Sequence, residues 1–175
     1  MASSCLRVLI KQNVLYRGMK VILLSVGKTD DTYFAQIIEA YRKRVNFYIS
    51  FDMKVVPDLK NRKNLSEKEQ RTLEGNNLLR ILQPSDYVVL LDDKGKEYTS
   101  AEFAGFIEKK THSVPRQLVF IIGGPYGFSQ EIYEAAHEKL SLSKMTFTHQ
   151  MVRLVFAEQL YRAMTILHNE PYHHA

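Results

Sequence analysis

The chain of 175 residues has almost no cysteine, and Cys5 stands alone. A disulfide framework and a cysteine-based zinc site within one chain are therefore excluded, and a reducing, cytoplasmic setting is the expectation. Long apolar runs are also missing. No stretch approaches the ~20 residues that a membrane-spanning helix needs, so a soluble protein with no membrane partner is expected. Two phosphate-binding signatures are absent as well. No Gly-Lys-Ser/Thr follows the glycine-rich turn Gly123-Gly124-Pro125-Tyr126-Gly127, and its spacing is not the G-x-G-x-x-G of a dinucleotide fingerprint. Nucleoside triphosphates and NAD are thereby disfavoured. The serines lack a nucleophile-elbow context, which speaks against a hydrolytic triad. His149 and the adjacent His173 and His174 have no cysteine or acidic residue nearby at a ligand spacing, so no metal site is expected.

What is present fits one domain, since 45% hydrophobic residues suffice for a continuous core at this length. The net charge of +5 invites a nucleic-acid reading, but residues 1–18 carry Arg7, Lys11 and Arg17 and no acid, and so supply +3 of it. That extension reads either as an organelle-type presequence or as the product of a start codon placed too early. The second is preferred because Met19 opens a strand pattern at once, and residues 19–175 are taken as the functional domain.

From Met19 onward, apolar runs of strand length alternate with segments of helical period, the pattern of an α/β protein with a mostly parallel sheet flanked by helices. Strands are expected at Lys20–Val26, about Tyr48–Val56, Tyr87–Leu91 and Leu118–Ile122, with Leu140–Phe147 as a last extended segment. Tyr87–Leu91 reads as apolar on both faces and so as central in the sheet. Helices are expected over Thr29–Arg44, from the capping box Ser66/Glu69 to about Leu82, after Thr99/Glu102, from Ser129 to about Lys139, and over Met151–Leu167.

In an open α/β sheet, ligands bind beyond the carboxyl ends of the strands. The turn after Leu118–Ile122 offers residues without a β-carbon, which let backbone approach a ligand closely, and a helix N-terminus follows. An ordinary tight turn explains the same residues. On Met151–Leu167, the residues Val152, Val155, Phe156, Leu160, Ala163 and Leu167 form an apolar face, with Arg153, Glu158, Tyr161 and Arg162 interleaved. Glu158 and Arg162 read as a solvated i, i+4 ion pair. His112, His137 and His168 read as solvated.

The segments KVILLSVGK, IGGPYGFS, LSLSKMTFTHQMVRLVFAEQLYRA and the terminal PYHH together resemble the RlmH family, the large-subunit ribosomal RNA pseudouridine N3-methyltransferases of the SPOUT class. The resemblance runs from Met19 to the end. It implies a SPOUT-type α/β knot with a C-terminal trefoil knot, an exception to the rule against knotted chains, and a homodimer. Carried over by position, S-adenosylmethionine rests against Leu91, against Gly123 and Gly124, and in the loop of Leu142, Ser143, Lys144, Met145, Thr146 and Phe147.

The reaction that the resemblance implies removes a proton from N3 of the uracil ring as the nitrogen attacks a sulfonium methyl group. Catalysis then rests on positioning, a cation facing the developing anion, and a proton acceptor. Arg153 is the candidate cation, and Tyr172 or His173 the candidate to contact or deprotonate the base. The chain ends HHA where the family usually ends in a charged residue, which leaves His174 without an assigned role. The partner is the ribosome through its large-subunit RNA, with Lys28, Arg42, Lys43, Arg44, Arg62 and Lys63 as candidate phosphate contacts; ordinary solvated charge is the plain alternative. Two rival readings are a non-catalytic ribosome-binding module and a SPOUT methyltransferase acting on transfer RNA.

Overall fold

Five strands and five helices alternate along the chain, and the sheet is parallel throughout. The computed structural model describes residues 18–59, 62–114 and 116–173. Cys5, His174 and nearly all of the N-terminal extension lie outside the described residues. The strands are β1 (Lys20–Val26), β2 (Ser50–Val56), β3 (Asp86–Glu97), β4 (Gln117–Ile122) and β5 (Glu138–Ser141), in the spatial order β2-β1-β4-β3-β5. The helices are α1 (Thr32–Val45), α2 (Glu67–Leu79), α3 (Ser100–Ser113), α4 (Gln130–Ala135) and α5 (His149–Leu167), with a 3-10 turn at Arg62–Asn64.

Side chains alternate across a strand, so each central strand feeds two cores. Val21, Leu23, Val89, Leu118 and Phe120 point to one face, where they meet Val45 of α1, Phe103 and Ile107 of α3, and Phe156 and Leu160 of α5. Their neighbours Ile22, Leu24, Val88, Leu90, Val119 and Ile121 pack on the other face against Leu78 of α2, Phe128 and Ile132 of α4. β4 lies at the centre because it must be covered on both sides, and its residues Leu118–Ile122 are all buried. Ser66/Glu69 and Thr99/Glu102 form the expected capping boxes of α2 and α3. α2 ends three residues earlier than Leu82, and α5 begins at His149 because Thr148 caps it.

Three boundaries differ from expectation for identifiable reasons. α1 starts at Thr32, since the Asp31 carboxylate accepts from the Tyr33 and Phe34 N–H groups, while Thr29 is engaged by a distant side chain described below. α4 stops at Ala135 rather than Lys139, and Ser129 makes no side-chain cap to it; Glu138 to Ser141 are claimed as a strand by β3. Strand structure after Leu140 then ends at Ser141, which frees residues 142–148 as a loop.

β3 continues beyond Leu91 because the chain bulges outward and then pairs with β5 again: Leu140 stands opposite both Leu91 and Lys96. This double pairing forces backbone against backbone. A β-carbon on Gly95 would lie 2.5 Å from the Leu140 carbonyl carbon and 2.6 Å from its nitrogen. Gly95→Ala is expected to destabilise the fold by about 1–3 kcal/mol, the usual cost of inserting a methyl group where nothing can yield. A urea midpoint indistinguishable from that of the parent chain would contradict the close approach.

Candidate active site at the carboxyl end of the sheet

Parallel strands place all their carboxyl ends on one edge, and there a cleft of about 860 Å³ opens beyond β3, β4 and β5. Leu91, Gly123, Gly124, Leu142, Ser143, Met145, Thr146 and Phe147 line it, and Val152 on α5 closes its apolar side. Lys144 does not line it; its ammonium is exposed and lies 3.6 Å from the Glu97 carboxylate.

The walls owe their shape to local bonds. Gly124 abuts the carboxylate of Glu74, a buried α2 side chain that accepts from Gln70 at 2.8 Å, so any β-carbon there would collide with it. In the loop after β5, Ser143 Oγ accepts from the Met145 N–H at 2.9 Å, and Thr148 caps α5. Met145 is left 74% exposed beside the cleft.

Asp92 and Tyr133 are among the lining residues that escaped the sequence reading. Asp92 follows Leu91 directly, and its position at the end of a fully apolar strand was the signal that could have found it. Burial opposes ionisation of Asp92, but hydrogen bonds from Tyr133 Oη at 2.6 Å and the Lys94 N–H at 2.8 Å outweigh it and hold the carboxyl below its usual range. Burial and this carboxylate push the Tyr133 phenol up to about 12. His149, weighed in the sequence only as a metal ligand or acid/base group, lines the cleft from the first turn of α5.

Arg153 lies outside the cleft lining. It is 2% exposed, and its guanidinium donates to Thr29 Oγ1 at 2.7 Å and to the carbonyls of Val26 and Gly27 at 2.8 and 2.7 Å. Burial lowers its pKa from the ordinary arginine value, against the opposing pull of Asp30 and Asp58. Tyr172 and His173 sit elsewhere again. The Tyr172 hydroxyl lies 3.2 Å from Glu158 and 3.4 Å from Tyr41 Oη, its ring packs on Tyr161 and under the Arg162 guanidinium, and His173 Nδ1 is 3.5 Å from Arg162. Glu158 and Arg162 do pair, as expected, but half-buried beneath this tail rather than solvated. His168 is half-buried rather than solvated, with Nδ1 against the Met164 carbonyl and its ring on Tyr48, whereas His137 is exposed as expected, although its Nδ1 accepts from the Val88 N–H and its ring stacks on Tyr87. Among the described residues, no group of three His, Cys, Asp or Glu side chains is placed to hold a metal ion, and no helix is long and apolar enough to cross a membrane.

The model of the family described as "Predicted SPOUT methyltransferase" matches residues 19–173. The chain belongs to the SPOUT methyltransferase family. A protein of Parabacteroides distasonis named "Ribosomal RNA large subunit methyltransferase H" is 61% identical over 156 residues, covering 89% of this chain and 99% of its own. A protein of the same name from Phocaeicola vulgatus is 60% identical with the same coverage. The crystal structure of a probable methyltransferase from Bordetella pertussis shares the fold at 11% identity, with a TM-score of 0.50 over 89% of this chain and 99% of that one. Membership of the SPOUT class implies the C-terminal knot, and it makes the cleft at the carboxyl ends of β3, β4 and β5 the place to look for a methyl donor.

In this SPOUT methyltransferase, Arg153→Met removes the donor to two strand-end carbonyls. Each buried carbonyl left without a partner costs about 1–3 kcal/mol, so a marked fall in thermal midpoint is expected. An unchanged midpoint would show that Arg153 does not hold β1 to α5.

Proposed function

We propose that this SPOUT methyltransferase moves the methyl group of S-adenosylmethionine to N3 of a pseudouridine in large-subunit ribosomal RNA, in the cytoplasm and on the assembled ribosome. The observation that carries the reading is the cleft itself: its volume of about 860 Å³ suits a small ligand, and three separate strand-end segments converge on it. Gly123 and Gly124 offer backbone without side chains, and Leu91, Leu142, Phe147 and Val152 offer apolar walls for a purine. Asp92, held ionised, is the natural partner for ribose hydroxyls or the donor's ammonium. The donor, when bound, supplies an electrophilic methyl group on a sulfonium. The relatives' printed name supports ribosomal RNA of the large subunit as the acceptor.

The protein's share of the catalysis is positioning and charge. Arg153 directs its two terminal nitrogens to Thr29, Val26 and Gly27, and only its buried Nε lacks a partner among the described residues. It is therefore read as a positioning residue that fixes the start of α5, acting on the base only through that helix. Tyr172 and His173 contact residues 158 and 162 of α5, whereas the cleft meets that helix at 149 and 152. At 1.5 Å rise per residue, Val152 and Arg162 are about 15 Å apart along the axis. For the tail and the cleft to meet on one base, the tail must come from a second copy. A homodimer also accounts for Tyr33, Ile37 and Met151, which are exposed on the first turns of α1 and α5 where the Asp31 N–H bonds Gln150. Light scattering that returned a monomer mass would contradict it.

Lys28, Lys43 and Lys63 are exposed and suit phosphate contacts. Arg42 is bound by Glu39 and Arg44 lies over Tyr41 and Tyr161, so both are less available; the side chain of Arg62 lies outside the described residues.

The deciding experiment offers labelled S-adenosylmethionine and two ribosome preparations, with and without the target pseudouridine. Transfer is expected only to the first. Equal transfer to both, or transfer to transfer RNA instead, would overturn the proposed acceptor.

A further inference from the structure

The geometry points to His149 as a catalytic residue, the group that takes the N3 proton of the nucleobase; this rests on the transfer reaction proposed above. His149 borders both halves of the sheet edge. Its side chain lines the cleft formed after β3, β4 and β5, and it also faces Arg153 and Asp58, which lie beside the ends of β1 and β2. Asp58, in the loop after β2, packs over Gly27, where a β-carbon would stand 3.1 Å from its carboxylate oxygens. The approach of the base is placed beside His149, on the side where Asp58 and Arg153 lie. Neither ring nitrogen of His149 is hydrogen-bonded to another described residue, so an acceptor nitrogen is available.

The charge state is the required one. Burial, then the Arg153 cation, lower the His149 pKa below the ordinary histidine value, against the pull of Asp58. The positive end of α5, at whose first residue the ring sits, acts in the same direction. The imidazole is therefore neutral near pH 7 and becomes protonated, and unable to accept, as the pH falls through its lowered pKa. Tyr172 is a poorer acceptor. Burial, with Tyr41 and Glu158 beside it, raises its phenol, which keeps its proton and serves as a donor. Arg153 has no acceptor atom at all.

The step balances without any further reagent. The N3–H bond breaks and its proton passes to the imidazole; the electron pair left on N3 forms the new N–C bond. The C–S bond breaks with its electrons going to sulfur, which becomes a neutral thioether. The positive charge has moved from sulfur to the imidazolium, which Asp58 faces, and the proton then leaves to water.

The test is single-turnover methyl transfer at saturating donor to ribosomes carrying the target, for the parent chain and His149→Gln, across the range in which histidine titrates. The parent rate is expected to fall in acid. The variant is expected to lose about 100- to 10,000-fold in rate, to lose that acid limb, and to bind S-adenosylmethionine with unchanged affinity by calorimetry. A variant rate near the parent's, a slowed rate with the parent's acid limb intact, or a loss of donor affinity that matches the loss of rate would each overturn the proposal. If His149→Gln does not fold, His149→Ala with added imidazole decides: recovered rate supports it, and a folded, donor-binding variant that imidazole cannot rescue overturns it. A parent chain that transfers nothing removes the proposed reaction as well, and so is distinguishable from failure of His149 alone.

Discussion

One buried cation holds the working end of this molecule together. Parallel strands end with carbonyls to which no further strand donates, and at the end of β1 those of Val26 and Gly27 accept from the guanidinium of Arg153, which reaches them from the helix α5. A lysine could not do the same. Its single ammonium lacks the planar fork that spans two carbonyls and the Thr29 hydroxyl together. Because the contact fixes the first turns of α5 against the sheet, it fixes Thr148 and His149, and through them the end of the loop from 142 to 148. That loop forms one wall of the cleft. A structural cation at the far side of the sheet edge thus governs the shape of a pocket it does not touch.

The two ends of α5 carry different work. Its N-terminal end closes the cleft with His149 and Val152, whereas its C-terminal end carries Glu158, Arg162 and a ring cluster of Tyr41, Tyr161 and Tyr172 that clasps the chain's last residues. Tyr48 joins this cluster by donating to Glu170 at 2.7 Å. The tail is therefore held by aromatic stacking and half-buried charge rather than left loose, which suits a group presented to a partner.

Much of this was legible in the residues. The apolar runs of β1 and β4, the capping boxes at Ser66 and Thr99, and the glycine turn after β4 are short-range patterns, and each stands where the pattern put it. Strand pairing was not legible. The bulge of β3 and its claim of Glu138–Ser141 as β5 depend on partners 44 to 49 residues away, as in Glu97 with Ser141 and Val89 with Glu138. Arg153 shows the same limit: its spacing placed it among apolar residues, but its acceptors lie 124 to 127 positions earlier, and only the fold shows where its terminal nitrogens are bound. The bond from the Val88 N–H to His137 was hidden for that reason too, since it spans 49 positions. The family resemblance reached beyond periodicity, since the knot and the nature of the ligand are implied by it and not by any pattern of the residues.

The central claim is that the cleft beyond β3, β4 and β5 holds the methyl donor. A crystal structure with S-adenosylhomocysteine tests it most directly. The account predicts the nucleoside between Leu91, the Gly123–Gly124 backbone and the loop from 142 to 147, with Asp92 in hydrogen-bonding reach and Arg153 still bound to Val26 and Gly27. Density for the ligand at any other surface, or in the cleft only after Arg153 has left those carbonyls, would contradict it.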